Sequence, residues 1–265
     1  MGVVSLNLPQ IGILARHSEK RFFEILDKRL KLVEKALLLR YELLKNVTSD
    51  VSPIHWQHGA IARLKKGEPI AKFLKGGYAT ISMGYIGMYE ATKLITGESN
   101  TGEKGRVFAM KVMDRLNEAI DTWKKRHNMG FALYGTPAES LTNRFSSLDR
   151  ARFGEIEDIT DKGYYTNSYH VNVREEINVF DKFAFESEFQ KKSTGGCISY
   201  AEIPNMTNNI PAVLTMIKYI YDNIPMRNLI QNQIIVMFAV LTVKLKSTIT
   251  MIGNAHVVIT RTVIN

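Results

Sequence analysis

The distribution of apolar residues along the chain predicts a first strand followed by a long helix. Residues 3–9 alternate in character and include β-branched side chains, which predicts a strand that stops at Pro9. After Ser18, a suitable N-cap, apolar residues recur at spacings of three and four, as on the buried face of a helix. These residues are Phe22, Leu26, Leu30, Val33, Leu37, Tyr41 and Leu44.

The pattern then repeats. Residues 79–83 predict a second strand, and residues 84–96 predict a helix that follows a glycine-rich turn. A further apolar stripe predicts a helix that ends near Asn128, and residues 131–134 predict a buried strand that leads directly into another helix. The stripe consists of Phe108, Val112, Leu116, Ile120 and Trp123. This alternation predicts an α/β fold with neighbouring parallel strands.

Composition narrows the class of protein. The chain has 265 residues, of which 45% are hydrophobic and 23% charged, so a disordered, collagen-like or disulfide-rich chain is excluded. Its single cysteine, Cys197, can form neither an internal disulfide nor a multi-thiolate metal site. The N-terminus lacks the charged segment of a signal peptide, and no apolar run reaches the roughly 18 residues of a membrane span. We therefore expect a cytoplasmic protein without a membrane partner.

The last forty residues differ from the rest of the chain. The formal charge is +9, and residues 226–265 contain four basic and no acidic residues, which leaves +5 for residues 1–225. This dispersed charge suits solubility or phosphate-bearing ligands, and no charge run indicates a nucleic-acid partner. Residues 234–243 are almost wholly apolar. Two interpretations stay open for this segment, a pair of buried strands or a tail foreign to the fold.

The strongest local motif is the sequence YGTPAESL at residues 134–141. Thr136 suits an N-cap, Pro137 suits the first helical position, and Glu139 completes a Thr-x-x-Glu capping box. A strand that runs into a helix start presents free backbone N–H groups to an anion. The alternative is that Thr136 and Glu139 only cap the helix.

Three weaker candidates remain. The spacing of His55 and His58 suits two metal ligands, but no third ligand is near in sequence, so no metal is expected. Residues 163–171 are dense in hydroxyls and amides, which fits an active-site loop and equally a loop packed by tyrosines. Cys197 follows a pair of glycines, and a buried thiol is favoured over a nucleophile because no histidine lies close in sequence.

Taken together, five strings resemble the anaerobic (class III) ribonucleoside-triphosphate reductases. They are GVVSLNLPQIGI, ATISMGYIGMYEA, YGTPAESLTNRF, DITDKGYYTNSYHVNVR and the GG-x-x-x-Y-x-E-x-P pattern of residues 195–204. The resemblance covers residues 1–225 and implies part of the ten-stranded α/β barrel of the glycyl-radical enzyme and ribonucleotide reductase superfamily. It also implies reduction of ribonucleoside triphosphates to deoxyribonucleotides by glycyl and thiyl radical chemistry.

The resemblance also implies site residues and partners. It implies that Thr136, Pro137, Ala138, Glu139 and Ser140 hold the substrate phosphates. It implies that Asn7 lies near the substrate ribose and that Asn167, Ser168 and His170 line the same barrel mouth. The implied partners are ribonucleoside triphosphates, a radical S-adenosylmethionine activase and a second subunit in a homodimer. The implied cofactors of a full-length enzyme are a glycyl radical, a structural zinc ion and formate as reductant.

The departures from the family pattern concern the radical chemistry itself. The segment with the family's thiyl cysteine, the Arg-Thr-Cys-Gly-Tyr type glycyl-radical motif and the zinc ribbon are missing from the sequence, and Cys197 stands where the family reserves no cysteine. We therefore expect this chain to bind no cofactor or metal and to be inactive alone. The alternative function is a nucleotide-binding, non-catalytic remnant or regulatory module.

The departures also suggest two regions. Residues 1–225 are expected to form part of the barrel domain, and residues 226–265 an aberrant hydrophobic tail in place of the zinc-ribbon and glycyl-radical region. Codons for Met226 to Asn265 can be chosen so that a reading frame one nucleotide earlier encodes a Cys-x-x-Cys pair followed by Cys-Pro-x-Cys. We therefore interpret the tail as a frameshifted zinc region. We expect it to make few specific contacts with residues 1–225.

Overall fold

Parallel strands alternate with helices through the part of the chain that is described. The computed structural model describes residues 2–203, 206 and 208–224, together with the backbone of residues 232–238 and 257–258. The strands are β1 (Gly2–Asn7), β2 (Thr80–Ile86), β3 (Gly130–Tyr134), β4 (Cys197–Ile203), β5 (Asn232–Phe238) and β6 (Val257–Val258). The helices are α1 (Leu8–Ala15), α2 (Glu19–Leu44), α3 (Pro53–Trp56), α4 (Met88–Thr96), α5 (Glu103–His127), α6 (Glu139–Phe153), α7 (Val179–Lys192) and α8 (Ile210–Asn223).

The first sheet has the order β1-β2-β3, and both of its pairings are parallel. One face packs against α2 and α5 and forms the main core. This face and the two helices contribute Leu6, Ile81, Met83, Phe131, Leu133, Phe22, Leu26, Phe108, Val112 and Trp123. Because side chains alternate along a strand, the other face carries the small residues Ser5, Gly84 and Ala132. The sheet therefore has one covered face and one face that leaves room for other groups.

A second sheet continues from the first. Gly195 N donates to Leu133 O at 2.7 Å, and Gly135 N donates to Gly196 O at 2.9 Å, so the start of β4 lies beside the end of β3. β4, β5 and β6 then pair in parallel in that order. The predicted α/β fold with neighbouring parallel strands is confirmed, and the arrangement fits part of a barrel.

Most of the predicted elements are confirmed, but two boundaries are wrong. Pro9 does not terminate a strand, because it lies in the first turn of α1, where proline has no hydrogen bond to lose. Asn7 ends β1 and caps α1, with its Oδ1 accepting from Gln10 N at 3.0 Å. Gly84 lies inside β2 rather than at a helix start, and α4 begins only at Met88.

The expectation that residues 226–265 contact the rest of the chain little is wrong at β5. Its seven residues pair in register with all of β4, from Cys197 with Asn232 to Ile203 with Phe238. The physical reason is that an apolar, β-branched run has high strand propensity and β4 offers an edge to pair with. The remainder of this segment lies outside the described residues, so the proposed boundary at residue 225 and the frameshift stay predictions.

Candidate functional site

The loop between β3 and α6 opens at the carboxyl edge of the first sheet. α6 begins at Glu139, with Ala138 as the N-cap residue and no side-chain cap. The predicted capping by Thr136 is therefore wrong. The Thr136 hydroxyl donates instead to Tyr134 O at 3.2 Å, and Thr136 lies three residues before the first residue of the helix. The other half of the predicted capping box, the side chain of Glu139, lies outside the described residues.

An uncapped helix start leaves backbone N–H groups available to a ligand. The first N–H groups of a helix lack the usual intrahelical acceptor four residues back, and the helix dipole adds partial positive charge there. At α6 the Ala138 N–H group donates to Asn167 Oδ1 at 3.2 Å and the Leu141 N–H group to Ala138 O at 3.0 Å, which leaves the Ser140 N–H group without an acceptor among the described residues. Ligands of open parallel sheets bind outside the carboxyl ends of the strands, which is where α6 begins. We call residues 136–140, which span this helix start, the cradle.

Gly84 allows the cradle to lie against the sheet. A Cβ atom at residue 84 would overlap the Thr136 hydroxyl and lie 2.6 Å from Ser5 Oγ. The two hydroxyls therefore approach the bare backbone of β2, that of Ser5 from β1 and that of Thr136 from the loop that follows β3. The sequence carried a signal for this, since an isolated glycine within a strand often marks a close approach. The prediction that places this glycine at a helix start instead is wrong.

Asn167 contacts the cradle. Its Oδ1 accepts a hydrogen bond from Ala138 N at 3.2 Å, and its backbone forms a bridge with Ile86 at the end of β2. Ile86 is also the register partner of Asn7 on β1. The structure thus lines up two of the candidate residues, Asn7 and Asn167, on either side of one strand end.

The amide of Asn7 is fully engaged within the protein. Its Oδ1 caps α1, and its Nδ2 donates to Asp149 Oδ2 at 2.7 Å. The buried Asp149 carboxylate also accepts from Gln10 Nε2 at 2.7 Å and from the Tyr165 hydroxyl at 3.0 Å. Asn7 therefore lies at the strand end, as expected, but it is held by a carboxylate from α6 that the sequence did not single out.

Ser168 and His170 lie behind Asn167. The Ser168 side chain is buried, and its Oγ lies 3.2 Å from His170 Nδ1. His170 Nε2 lies 2.8 Å from Ile198 O, and the ring stacks on Tyr169 with centroids 4.8 Å apart. A cavity of about 470 Å³ adjoins these residues and is lined by Thr142, Thr166, Asn167, His170, Lys182 and Tyr200. Asn167 borders both this cavity and the cradle.

The loop of residues 163–171 is packed by tyrosines, and its role as an active-site loop stays a prediction. Tyr165 and Tyr169 are buried, and burial raises the pKa of both phenols far above the ordinary value. The tyrosines therefore anchor the loop, while Asn167 between them turns towards the cradle.

A buried ion pair beside this loop carried no sequence signal. Lys162 Nζ lies 2.8 Å from Glu90 Oε1, and both side chains are 0% exposed. The two residues are 72 positions apart, so no local pattern joins them. Glu90 lies in the first turn of α4, at the amino end of the helix that follows β2.

The remaining candidates show no site. Cys197 is 1% exposed, and burial raises the pKa of its thiol to about 12, so it does not behave as a nucleophile at neutral pH. His55 and His58 are exposed near α3. Among the described residues, no three His, Cys, Asp or Glu side chains come together as metal ligands would. No described helix has both the length and the apolar character to cross a bilayer.

Fold and site define a class: an α/β protein in which a helix without a side-chain cap begins at the carboxyl edge of a parallel sheet that fits part of a barrel. Residues 1–233 match the sequence profile of the anaerobic ribonucleoside-triphosphate reductases. The chain belongs to this family.

Individual relatives agree with the assignment. The chain is 40% identical to the anaerobic ribonucleoside-triphosphate reductase of Salmonella typhimurium over 228 residues, which are 85% of this chain and 32% of the relative. It is 40% identical to that of Enterobacteria phage T4 over 215 residues, 79% of this chain and 34% of the relative. The chain therefore spans about a third of the length of these relatives.

Solved structures support the fold. The anaerobic ribonucleotide reductase of Thermotoga maritima with glycerol in the active site matches with a TM-score of 0.67 and 20% identity, over 84% of this chain and 35% of that chain. The same enzyme in complex with dATP and CTP matches with a TM-score of 0.63, again at 20% identity and over 84% and 35% of the two chains.

Proposed function

We propose that this chain is the portion of an anaerobic ribonucleoside-triphosphate reductase that holds the triphosphate of the substrate in the cradle. The observation that carries the proposal is the uncapped start of α6, placed directly after β3 at the carboxyl edge of the parallel sheet. A polyanion is the ligand that such a helix start favours.

Side chains around the helix start add donors. Ser140 is exposed in the first turn of α6, so its hydroxyl is accessible to a phosphate oxygen. Because Asn167 Oδ1 faces the Ala138 N–H group, the amide NH₂ of Asn167 can donate to an anion at the same place. Lys162, by contrast, is buried against Glu90 and does not take part. Recognition therefore rests on N–H and O–H donors together with the helix dipole.

The position of the phosphates determines where the ribose lies. With the phosphates at residues 136–140, the sugar lies over the small-residue face of the first sheet, towards Asn7 and the strand ends. Ser168 and His170 shape the wall behind Asn167. The Thermotoga maritima relative was solved with dATP and CTP, which supports a nucleotide as the ligand class.

The radical chemistry requires groups that this chain does not offer. A structural zinc site needs about four closely placed Cys or His ligands, and the sequence has one cysteine, which is buried. The residues present therefore do not fit the zinc, and no residue matches the family's glycyl-radical motif. Within a complete reductase, we propose that a radical S-adenosylmethionine activase, formate and a homodimeric partner complete the reaction. This chain alone binds nucleotide without turnover.

Calorimetric titration of the full chain with CTP tests the proposal. Ser140→Ala should weaken binding by roughly threefold to tenfold, since a hydrogen bond of about 0.5–1.5 kcal/mol is lost. Ser147→Ala is the matched control, because Ser147 is an exposed serine on the same helix, further from its start. Equal affinities of the parent, Ser140→Ala and Ser147→Ala would show that the Ser140 hydroxyl does not contact the phosphates, and no CTP binding by the parent would overturn the proposal as a whole.

A further inference from the structure

The segment of residues 166–168 is fastened to the start of α4. Gly87 N donates to Thr166 O at 2.8 Å, and Met88 N donates to Ser168 O at 3.0 Å. Two backbone donors of one helix start therefore hold the residues on either side of Asn167. The position of α4 thus controls where Asn167 lies.

Glu90 adds a side-chain anchor from the same helix. Its Oε1 accepts from Thr166 N at 2.9 Å, from Thr166 Oγ1 at 2.9 Å and from Lys162 Nζ at 2.8 Å. Asn172 Nδ2 in turn donates to Thr166 Oγ1 at 3.0 Å. One carboxylate oxygen therefore fixes both the backbone and the side chain of Thr166, which immediately precedes Asn167.

We infer that Glu90 is a positioning residue for the cradle. By anchoring Thr166 it holds the amide of Asn167 against Ala138 N, where α6 begins. This inference rests on the proposed function, because the cradle is the site that Asn167 completes. Glu90 itself does not contact the ligand.

Lys162 offsets the energetic cost of burying the Glu90 carboxylate. A buried charge without a partner is strongly unfavourable, and the Lys162 ammonium supplies the opposite charge at 2.8 Å. Its Nζ also lies 4.7 Å from the centre of the Tyr89 ring. Glu90 Oε2, however, is buried with no hydrogen-bond partner among the described residues.

Paired substitutions separate the hydrogen-bond acceptor from the charge. Glu90→Met with Lys162→Met, which we call the Met/Met pair, removes both charges and the hydrogen-bond acceptor and keeps the approximate side-chain volume. Glu90→Gln with Lys162→Met, which we call the Gln/Met pair, also removes both charges but keeps an amide oxygen that can accept from Thr166. Arg106→Met with Glu188→Met is the control, because this ion pair joins α5 to α7 at the surface.

Amide hydrogen exchange at Ala138 is the first readout, measured by NMR without nucleotide. The Met/Met pair should speed exchange at Ala138 by roughly threefold to tenfold, as Asn167→Ala does, because the Asn167 contact is loosened. The Gln/Met pair should exchange at the parental rate, as should the surface control. Parental exchange in the Met/Met pair, or equally fast exchange in both pairs, would overturn the inference. If the Met/Met pair does not fold, Thr166→Val tests the side-chain half of the anchor, since it removes the hydroxyl that donates to Glu90 but keeps the Thr166 N–H donor. It should speed exchange at Ala138 by a smaller factor, and parental exchange would overturn the role of that hydroxyl in placing Asn167.

CTP affinity is the second readout. We expect the Met/Met pair to weaken CTP binding as much as Asn167→Ala does, and the Gln/Met pair to restore it. Weakening in both pairs alike would overturn the positioning role. If the parent binds no CTP, the proposed function fails, while exchange at Ala138 still decides whether Glu90 positions Asn167.

Discussion

At the scale of single residues, Gly84 is the position at which the site tolerates least change. A Cβ there would overlap the Thr136 hydroxyl and crowd Ser5 Oγ. Gly84→Ala should therefore destabilise the protein by about 1–3 kcal/mol, as overpacking does, and weaken CTP binding because Thr136 must move. Urea unfolding and CTP titration measure the two effects.

Gly102→Ala is the matched control for Gly84→Ala. The nearest atom to a Cβ at residue 102 belongs to the flexible Glu98 side chain, 2.9 Å away, and residue 102 is the N-cap of α5, where alanine is less favourable than glycine. Gly102→Ala should therefore cost some stability but leave CTP binding unchanged. If Gly84→Ala were as stable and bound CTP as tightly as Gly102→Ala, the close packing of Thr136 on β2 would be refuted.

Cys197 provides a pH-dependent prediction at the same scale. Burial raises the pKa of its thiol from the ordinary 9.0 to about 12, so the folded state retains a proton that the unfolded state releases. The contribution to stability is therefore complete below about pH 9 and is lost as the pH rises towards 12. Iodoacetamide should leave Cys197 unmodified at pH 8 in the native protein and alkylate it in urea. Rapid alkylation of the native protein would contradict this burial.

At the scale of elements, Asp149 ties α6 to the junction of β1 and α1. Its carboxylate accepts from Asn7, Gln10 and Tyr165 and is itself buried. Asp149→Ala leaves these donors without their acceptor, so we expect a loss of about 2–4 kcal/mol in the free energy of unfolding.

Asp121→Ala is the control for Asp149→Ala, because the Asp121 carboxylate makes only a surface pair with Lys124 one turn away and is largely exposed. Its effect should stay within about 0.5 kcal/mol. Denaturation curves that coincide for the two variants would show that Asp149 does not join these elements.

The elements themselves were largely predictable, because helix and strand periods are local properties of the sequence. α2 and α5 follow from their apolar stripes, and Ser18 caps α2 as expected, with Oγ accepting from Arg21 N at 3.3 Å. α1 was not predicted, because Pro9 was taken as the end of a strand, although proline is equally common in the first turn of a helix. Residues 179–224, which form α7, β4 and α8, carried no element prediction.

The candidate site was predictable only where its residues are close in sequence. The cradle at residues 136–140 forms one continuous motif, and it lies where a strand meets a helix, as expected. The role of Thr136 was not predictable, because its hydroxyl could either cap α6 or donate to a nearby carbonyl. In the structure it donates to Tyr134 O. The contact of Asn167 with Ala138 joins two positions that are 29 apart in the sequence, and that of Glu90 with Thr166 joins two that are 76 apart. Only the folded chain brings these residues together.

At the scale of the whole molecule, the chain spans about a third of its reductase relatives. We expect no deoxyribonucleotide formation by this chain with activase, S-adenosylmethionine and formate, and no stoichiometric zinc. The reason is chemical, since its lone cysteine is buried and neither the family's radical glycine nor its zinc ligands are in the sequence. A full-length relative assayed in parallel is the positive control. Product above background, or one zinc per chain by metal analysis, would refute this account.

The central claim is that the start of α6 holds the substrate phosphates, and a crystal structure of this chain with CTP tests it most directly. The account predicts phosphate oxygens about 3 Å from backbone N–H groups at the start of α6 and from the amide of Asn167. It also predicts the ribose over the face that carries Ser5 and Gly84. Triphosphate density elsewhere, for instance in the cavity beside His170 and Tyr200, would contradict it.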